Sequence, residues 1–146
     1  MFTTPDGVFR ALSPAGTDDW QALVESRLWR ELQDEGHVVA TEPADIGAVP
    51  DQLAGQAAGV LHDERTPFVS DPYKWPFSML KNAALLQLEV NQRALRTDLA
   101  LKVATPYNLQ WRGTRPMFID IGSFERLRPG EPWQATDSSA RCVCIR

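Results

Sequence analysis

The chain has 146 residues, enough for one domain with a real core, and its 43% hydrophobic and 23% charged residues are ordinary for a soluble globular protein. A net charge of −4 and a pI near 5.1 give no basis for binding nucleic acid or an anionic membrane. The longest apolar region, Phe77 to Leu101, is broken by Lys81, Asn82, Glu89, Asn91 and Arg93 and cannot span a bilayer. The start, Met1-Phe2-Thr3-Thr4-Pro5-Asp6, has neither a basic n-region nor an apolar h-region, so the expected location is cytoplasmic.

Gly7 to Leu12 reads as a short strand ending at the turn Ser13-Pro14-Ala15-Gly16. Thr17-Asp18-Asp19 then offers an N-cap and an acidic first turn. The spacing of Trp20, Leu23, Val24, Leu28 and Leu32 predicts one helix from about Trp20 to Asp34, with Gly36 as its stop. His37 to Ala40 looks like a short strand. Thr41 to Gly59, rich in Ala, Gly, Pro and Asp, reads as a loop with one weak helical turn. His62 falls in a polar turn with Asp63, Glu64 and Arg65; it and His37 read as surface residues.

Arg65 to Ser70 is a second extended segment, and Pro72 and Pro76 bracket Tyr73 and Trp75. Phe68, Tyr73, Trp75 and Phe77 read as pins that hold this loop on the core, the alternative being a ligand-stacking surface. Pro76 suits the first turn of a helix to about Thr97. One stripe of that helix carries Phe77, Leu80, Ala84, Leu88 and Leu95, and another Met79, Ala83, Leu86, Val90 and Ala94, the pattern of a core helix. Asp98 terminates it. After the brief extended run Leu99 to Lys102, Lys102-Val103-Ala104-Thr105-Pro106-Tyr107-Asn108 forms a loop. Leu109 to Ile119 reads as two short strands turning at Gly113, and Asp120-Ile121-Gly122 follows. The Pro/Gly-rich exit ends at Trp133. Residues 135–146, with Cys142 and Cys144, read as an unstructured tail that holds no metal. The expected fold class is α+β, a long buried helix followed by a loop and a β-hairpin.

Asn108 and Asp120 lie twelve residues apart, a loop-end carboxamide and a strand-end carboxylate that a folded-back hairpin would bring together. Two such oxygens suit magnesium, which takes few protein ligands and completes its shell with phosphate and water. Lys102 would neighbour a bound phosphate. The order resembles the C-terminal lobe of kinase-like folds, where the catalytic-loop Asn and the Asp of Asp-Phe-Gly hold magnesium on a nucleotide. The alternative is that Asn108 and Asp120 only cap turns. Val103 stands where the kinase base would be an Asp, and a valine accepts no proton. Glycine-rich phosphate loops are absent from the sequence. A magnesium–nucleotide module or pseudokinase is therefore one expectation, and a structural scaffold another.

Three segments resemble the N-terminal region of bacterial nodulation-protein-like, class I SAM-dependent methyltransferases: Phe68 to Leu86, Leu101 to Asn108, and Pro116 to Glu125. A weaker likeness runs from Ser26 to Glu42. The family pattern has Asp in place of Val103, and its members continue past Pro-Gly-x-Pro-Trp into the domain that binds S-adenosylmethionine. The resemblance implies that residues 1–134 form the N-terminal domain of such a protein and that the chain is truncated. It also implies that S-adenosylmethionine belongs to a missing downstream domain, and that the partner is a methyltransferase domain in cis or trans.

Overall fold

The computed structural model describes residues 1–4, 7–48 and 57–128. Among these residues it is an α+β molecule built from antiparallel sheets and three helices. The larger sheet has the order β1 (Phe2–Thr4), β2 (Gly7–Leu12), β4 (Gly59–Asp63), β3 (Thr41–Ala44). Its register sets Phe2 beside Phe9, Phe9 beside His62 and His62 beside Glu42. Because side chains alternate along a strand, this row lies on one face, and Val8, Arg10, Leu12, Leu61, Asp63 and Thr41 lie on the other. On the first face Phe9 stacks on Phe2 at 5.7 Å and on His62 at 4.9 Å. Residues 41–44 and 59–63 are thus strands where the sequence suggests a loop and a polar turn. The reason is tertiary: β4 pairs on both edges, and Pro43 is tolerated because β3 is the sheet margin.

The single helix expected over Trp20 to Asp34 is two helices, α1 (Pro14–Glu25) and α2 (Arg27–Asp34). Ser13, not Thr17, caps α1: its Oγ accepts the Gly16 N–H at 3.2 Å, and Pro14 takes the first helical position. Ser26 breaks the run in an extended conformation, donating its hydroxyl to the Leu23 carbonyl. Trp20 on α1 meets Trp29 on α2 edge-on at 5.1 Å. Gly36, at φ 70°, lets the chain leave α2 with the His37 N–H returned to the Leu32 carbonyl. No strand forms over 37–40. One parallel bridge joins Val38 to Phe118.

Helix α3 (Phe77–Leu95) starts at Pro76 as the sequence predicts, yet it buries only one of its two apolar stripes. Ala83, Leu86, Val90 and Ala94 face the core with Gln87 and Asn91, whereas Phe77, Leu88 and Leu95 are exposed. Residues 64–71 form no strand: Gln110 holds this segment instead, accepting from the Ser70 N–H at 3.0 Å and donating to its carbonyl at 3.1 Å. Of the four aromatics read as pins, only Trp75 is buried, its indole N–H donating to Ser70 Oγ at 2.8 Å. Phe68, Tyr73 and Phe77 face solvent.

The hairpin of β6 (Leu109–Arg112) and β7 (Arg115–Phe118) turns at Gly113, whose φ of 63° a side chain would resist. β5 (Leu99–Leu101) and β8 (Phe124–Arg126) pair antiparallel on either side of it in sequence. Asp98, at φ 56°, turns the chain from α3 into β5. Leu23, Leu32, Leu101, Leu109, Phe118 and Phe124 form the centre of the core, the last two rings edge-on at 5.7 Å. Among the described residues no helix is long and apolar enough to cross a membrane. The tail, with Cys142 and Cys144, lies outside them.

Candidate functional site

Asn108 closes a single 3-10 turn, Pro106–Asn108, and is almost completely buried. Two polar side chains from the buried face of α3 hold the strand and loop before it. Asn91 Oδ1 accepts the Leu101 N–H at 3.2 Å, and Gln87 donates to the Thr105 carbonyl at 3.4 Å. The Asn108 carbonyl then accepts the Ile119 N–H at 2.8 Å, which ties the loop to the far end of the hairpin. Backbone groups enclosed this way need such partners, and the helix provides them.

The hairpin brings Asn108 and Asp120 together through one hydroxyl. Asn108 Nδ2 donates to Ser123 Oγ at 3.2 Å and to the Val103 carbonyl at 3.1 Å. Ser123 Oγ in turn donates to Asp120 Oδ2. The other carboxylate oxygen, Oδ1, accepts from Arg10 Nη1 at 2.7 Å. Arg10 reaches there from β2, and its Nη2 also bonds Asp63 Oδ2 and the Ile119 carbonyl, both at 3.2 Å. Asp63 is buried in β4 and accepts from Thr41 Oγ1 at 2.8 Å. Lys102 does not touch Asp120; its Nζ pairs with Asp19 Oδ2 of α1 at 2.8 Å.

These groups border an open cleft of about 440 Å³ between β2, the start of α1 and the segments 102–103 and 120–124. Arg10, Asp19, Lys102, Asp120 and Ser123 line it, with Trp20, Leu61 and Phe124 as apolar walls. Lys102 and Asp120 therefore share one cavity, and Asn108 stands behind it. Val103 lines the cleft and, with no ionisable group, contributes only its carbonyl to the network. Two of the three ligand-type residues singled out in the sequence are thus joined through Ser123, and the third faces the same space.

Arg10, Asp63 and Ser123 were not singled out. Arg10 had a signal: a charged residue inside the otherwise apolar run Val8-Phe9-Arg10-Ala11-Leu12 needs a reason. Asp63 carries none, because the partners that make β4 a strand are distant in sequence.

A cation is already present at Asp120 in the form of the Arg10 guanidinium, so the carboxylate is shaped to face positive charge. The Asn108 amide nitrogen is committed to two acceptors, so its carbonyl oxygen is the atom able to serve a metal. Asn108 does not line the cleft, and both Asp120 oxygens are taken, by Arg10 and Ser123.

A second polar cluster lies on the α2–α3 side. Glu35, His37 and Glu89 offer ligand atoms within 4.8 Å of one another. Arg93 already supplies its positive charge, bonding Glu35 at 2.5 Å and Glu31 at 3.1 Å. Its hydrogen bonds hold the Glu35 and Glu31 carboxyls below their ordinary range, and those bonds in turn raise the Arg93 pKa. This cluster is an ion-pair network joining two helices.

No family model matches the chain. It is 32% identical over 133 residues to the nodulation protein NoeA of Rhizobium meliloti (strain 1021), a match that covers 91% of this chain and 27% of that protein. The chain spans about a quarter of the length of the curated relative it matches.

Proposed function

We propose that this chain is the N-terminal domain of a NoeA-like, methyltransferase-type protein, cytoplasmic, serving it as a binding and scaffolding module. The observation that carries this reading is the 32% identity over 91% of the chain to a 27% stretch of a nodulation protein. It is supported by the three segments that resemble class I SAM-dependent methyltransferases. The sheets also bear on it. A class I donor site needs parallel strands joined by helices, with a phosphate- or nucleoside-binding turn at their carboxyl ends. Among the described residues every named strand pair is antiparallel, so S-adenosylmethionine would be held by a different domain, in cis or trans. Calorimetric titration of this chain with S-adenosylmethionine is expected to give no binding heat; tight one-to-one binding would overturn the reading. A chimera in which this chain replaces the matching stretch of the nodulation protein is expected to remain folded and functional.

A second reading, magnesium–nucleotide binding of the pseudokinase type, is favoured by the Asn108–Ser123–Asp120 relay beside Lys102. Helix, Asn loop, hairpin and Asp-x-Gly occur in the order used by kinase-like folds to hold a nucleotide's metal. In this reading Asp120 and Asn108 hold the ion, and Lys102 exchanges Asp19 for a phosphate. Val103 supplies no base, so binding without phosphoryl transfer is the expected behaviour. Magnesium with ATP should raise the melting temperature, and Asp120→Ala should abolish the rise. An unchanged melting temperature in the intact chain counts against it.

A further inference from the structure

We propose, on the first reading above of this chain as one domain of a longer protein, that the outward face of α3 is the seat on which the rest of the NoeA-like protein docks, through an apolar surface with a carboxylate rim. Phe77, Leu85, Leu88 and Leu95 are 80%, 53%, 55% and 42% exposed. At about 100° per residue, Phe77, Leu88 and Leu95 fall within about 20° of one line along the helix, and Leu85 stands beside it. Phe68, Val69 and Tyr73, in the segment that enters α3, are exposed as well. Single exposed apolar side chains are ordinary, but a row of them along a 19-residue helix is a patch of the kind that marks an interaction surface. The fold of this domain does not use the face, because Ala83, Leu86, Val90 and Ala94 on the other side of α3 already close the core.

What covers the face follows from where the chain leaves the fold and from charge. β8 pairs with β5, and the Leu127 N–H bonds the Asp98 carbonyl at 2.9 Å. Asp98 stands three residues past Leu95, so sequence that follows Leu127 starts at the C-terminal end of the exposed row. The match takes up only 27% of the nodulation protein, so in such a protein most of the polypeptide has to be seated against this domain or tethered to it. Lys81 and Arg96 lie on the exposed side of α3 and make no ion pair among the described residues, whereas Arg93 is held by Glu31 and Glu35. Unpaired cations beside an apolar row suit a partner with carboxylates at its rim, where such pairs steer association and fix register.

Carbene photolabelling with a water-soluble diazirine tests this on the chain alone and on the chimera in which it replaces the matching stretch of the nodulation protein of Rhizobium meliloti. In the chimera, labelling of Phe77, Leu88 and Leu95 should fall at least about fivefold, as in the water-excluding centre of an interface. Leu88→Glu should leave the urea midpoint of the chain alone unchanged, yet restore the labelling of Phe77 and Leu95 in the chimera. Equal labelling in a folded chimera would overturn the docking and leave the domain reading standing. Protection already present in the chain alone, and growing with its concentration, would assign the face to a second copy and overturn the docking as well. A chimera that does not fold counts against the domain reading. The intact nodulation protein is then labelled at the aligned positions, and labelling there as strong as in the chain alone overturns the docking.

Discussion

Ser123→Ala tests whether the hydroxyl between Asn108 and Asp120 organises the site. Ser123 is 3% exposed and makes one bond to a carboxylate and one to a carboxamide. A hydrogen bond to a charged group contributes about 1.5–3 kcal/mol and a neutral one about 1 kcal/mol. Asn108 keeps the Val103 carbonyl and Asp120 keeps Arg10, which softens the loss. The expected destabilisation is therefore about 2–3 kcal/mol. With a urea m-value of about 1.5 kcal/mol/M, the unfolding midpoint should fall by between about 1 and 2 M. Asp120→Asn combined with Ser123→Ala should show a coupling of at least about 1 kcal/mol, because both act on one contact. A midpoint shift below about 0.3 M, or strict additivity in the cycle, would refute the idea that this relay fixes the two residues.

The core and surface expectations can be separated with two more variants. Phe118→Ala, at a fully buried ring packed on Phe124, should cost about 3–5 kcal/mol by thermal or urea unfolding. Phe77→Ser, at a ring 80% exposed, should stay within about 0.5 kcal/mol of wild type. If the two lose stability equally, the assignment of the buried face of α3 is wrong. The Arg93 network predicts an acid limb. Glu35 and Glu31 titrate below their ordinary 4.5 in the folded chain, so their contribution is present above that pH and lost as the pH falls through the lowered values. Arg93→Gln should flatten the melting-temperature profile below about pH 4.5, and added salt should narrow the difference; matching acid limbs in both proteins would count against the network.

Elements encoded by local spacing were legible in the sequence. Helix α3 announces itself through Pro76 and apolar periodicity, and the hairpin through Gly113, because each signal lies within a few residues of what it determines. Of the larger sheet only β2, read as a strand over Gly7 to Leu12, was legible. β3 and β4 are short, one carries a proline, and both exist because of partners distant in sequence. The break between α1 and α2 also escaped, since the same apolar stripe continues across Ser26 while the backbone turns.

The site was legible only as far as its own motif, and the reason is the direction from which it is held. Apolar periodicity gives α3 two equivalent stripes and no means of choosing between them. The choice is made by Gln87 and Asn91, whose amides serve backbone groups at 105 and 101 and so must point inward. They fix the strand and loop that end in Asn108. From the opposite side Arg10 crosses 110 positions of sequence to fix Asp120. Both anchors are polar residues within apolar runs, the positions that a hydrophobic pattern treats as interruptions. In a core that must satisfy its enclosed backbone and charges, those interruptions specify where the hairpin lies. Hence Asn108 and Asp120 meet because two polar exceptions hold them, one from the helix and one from the sheet.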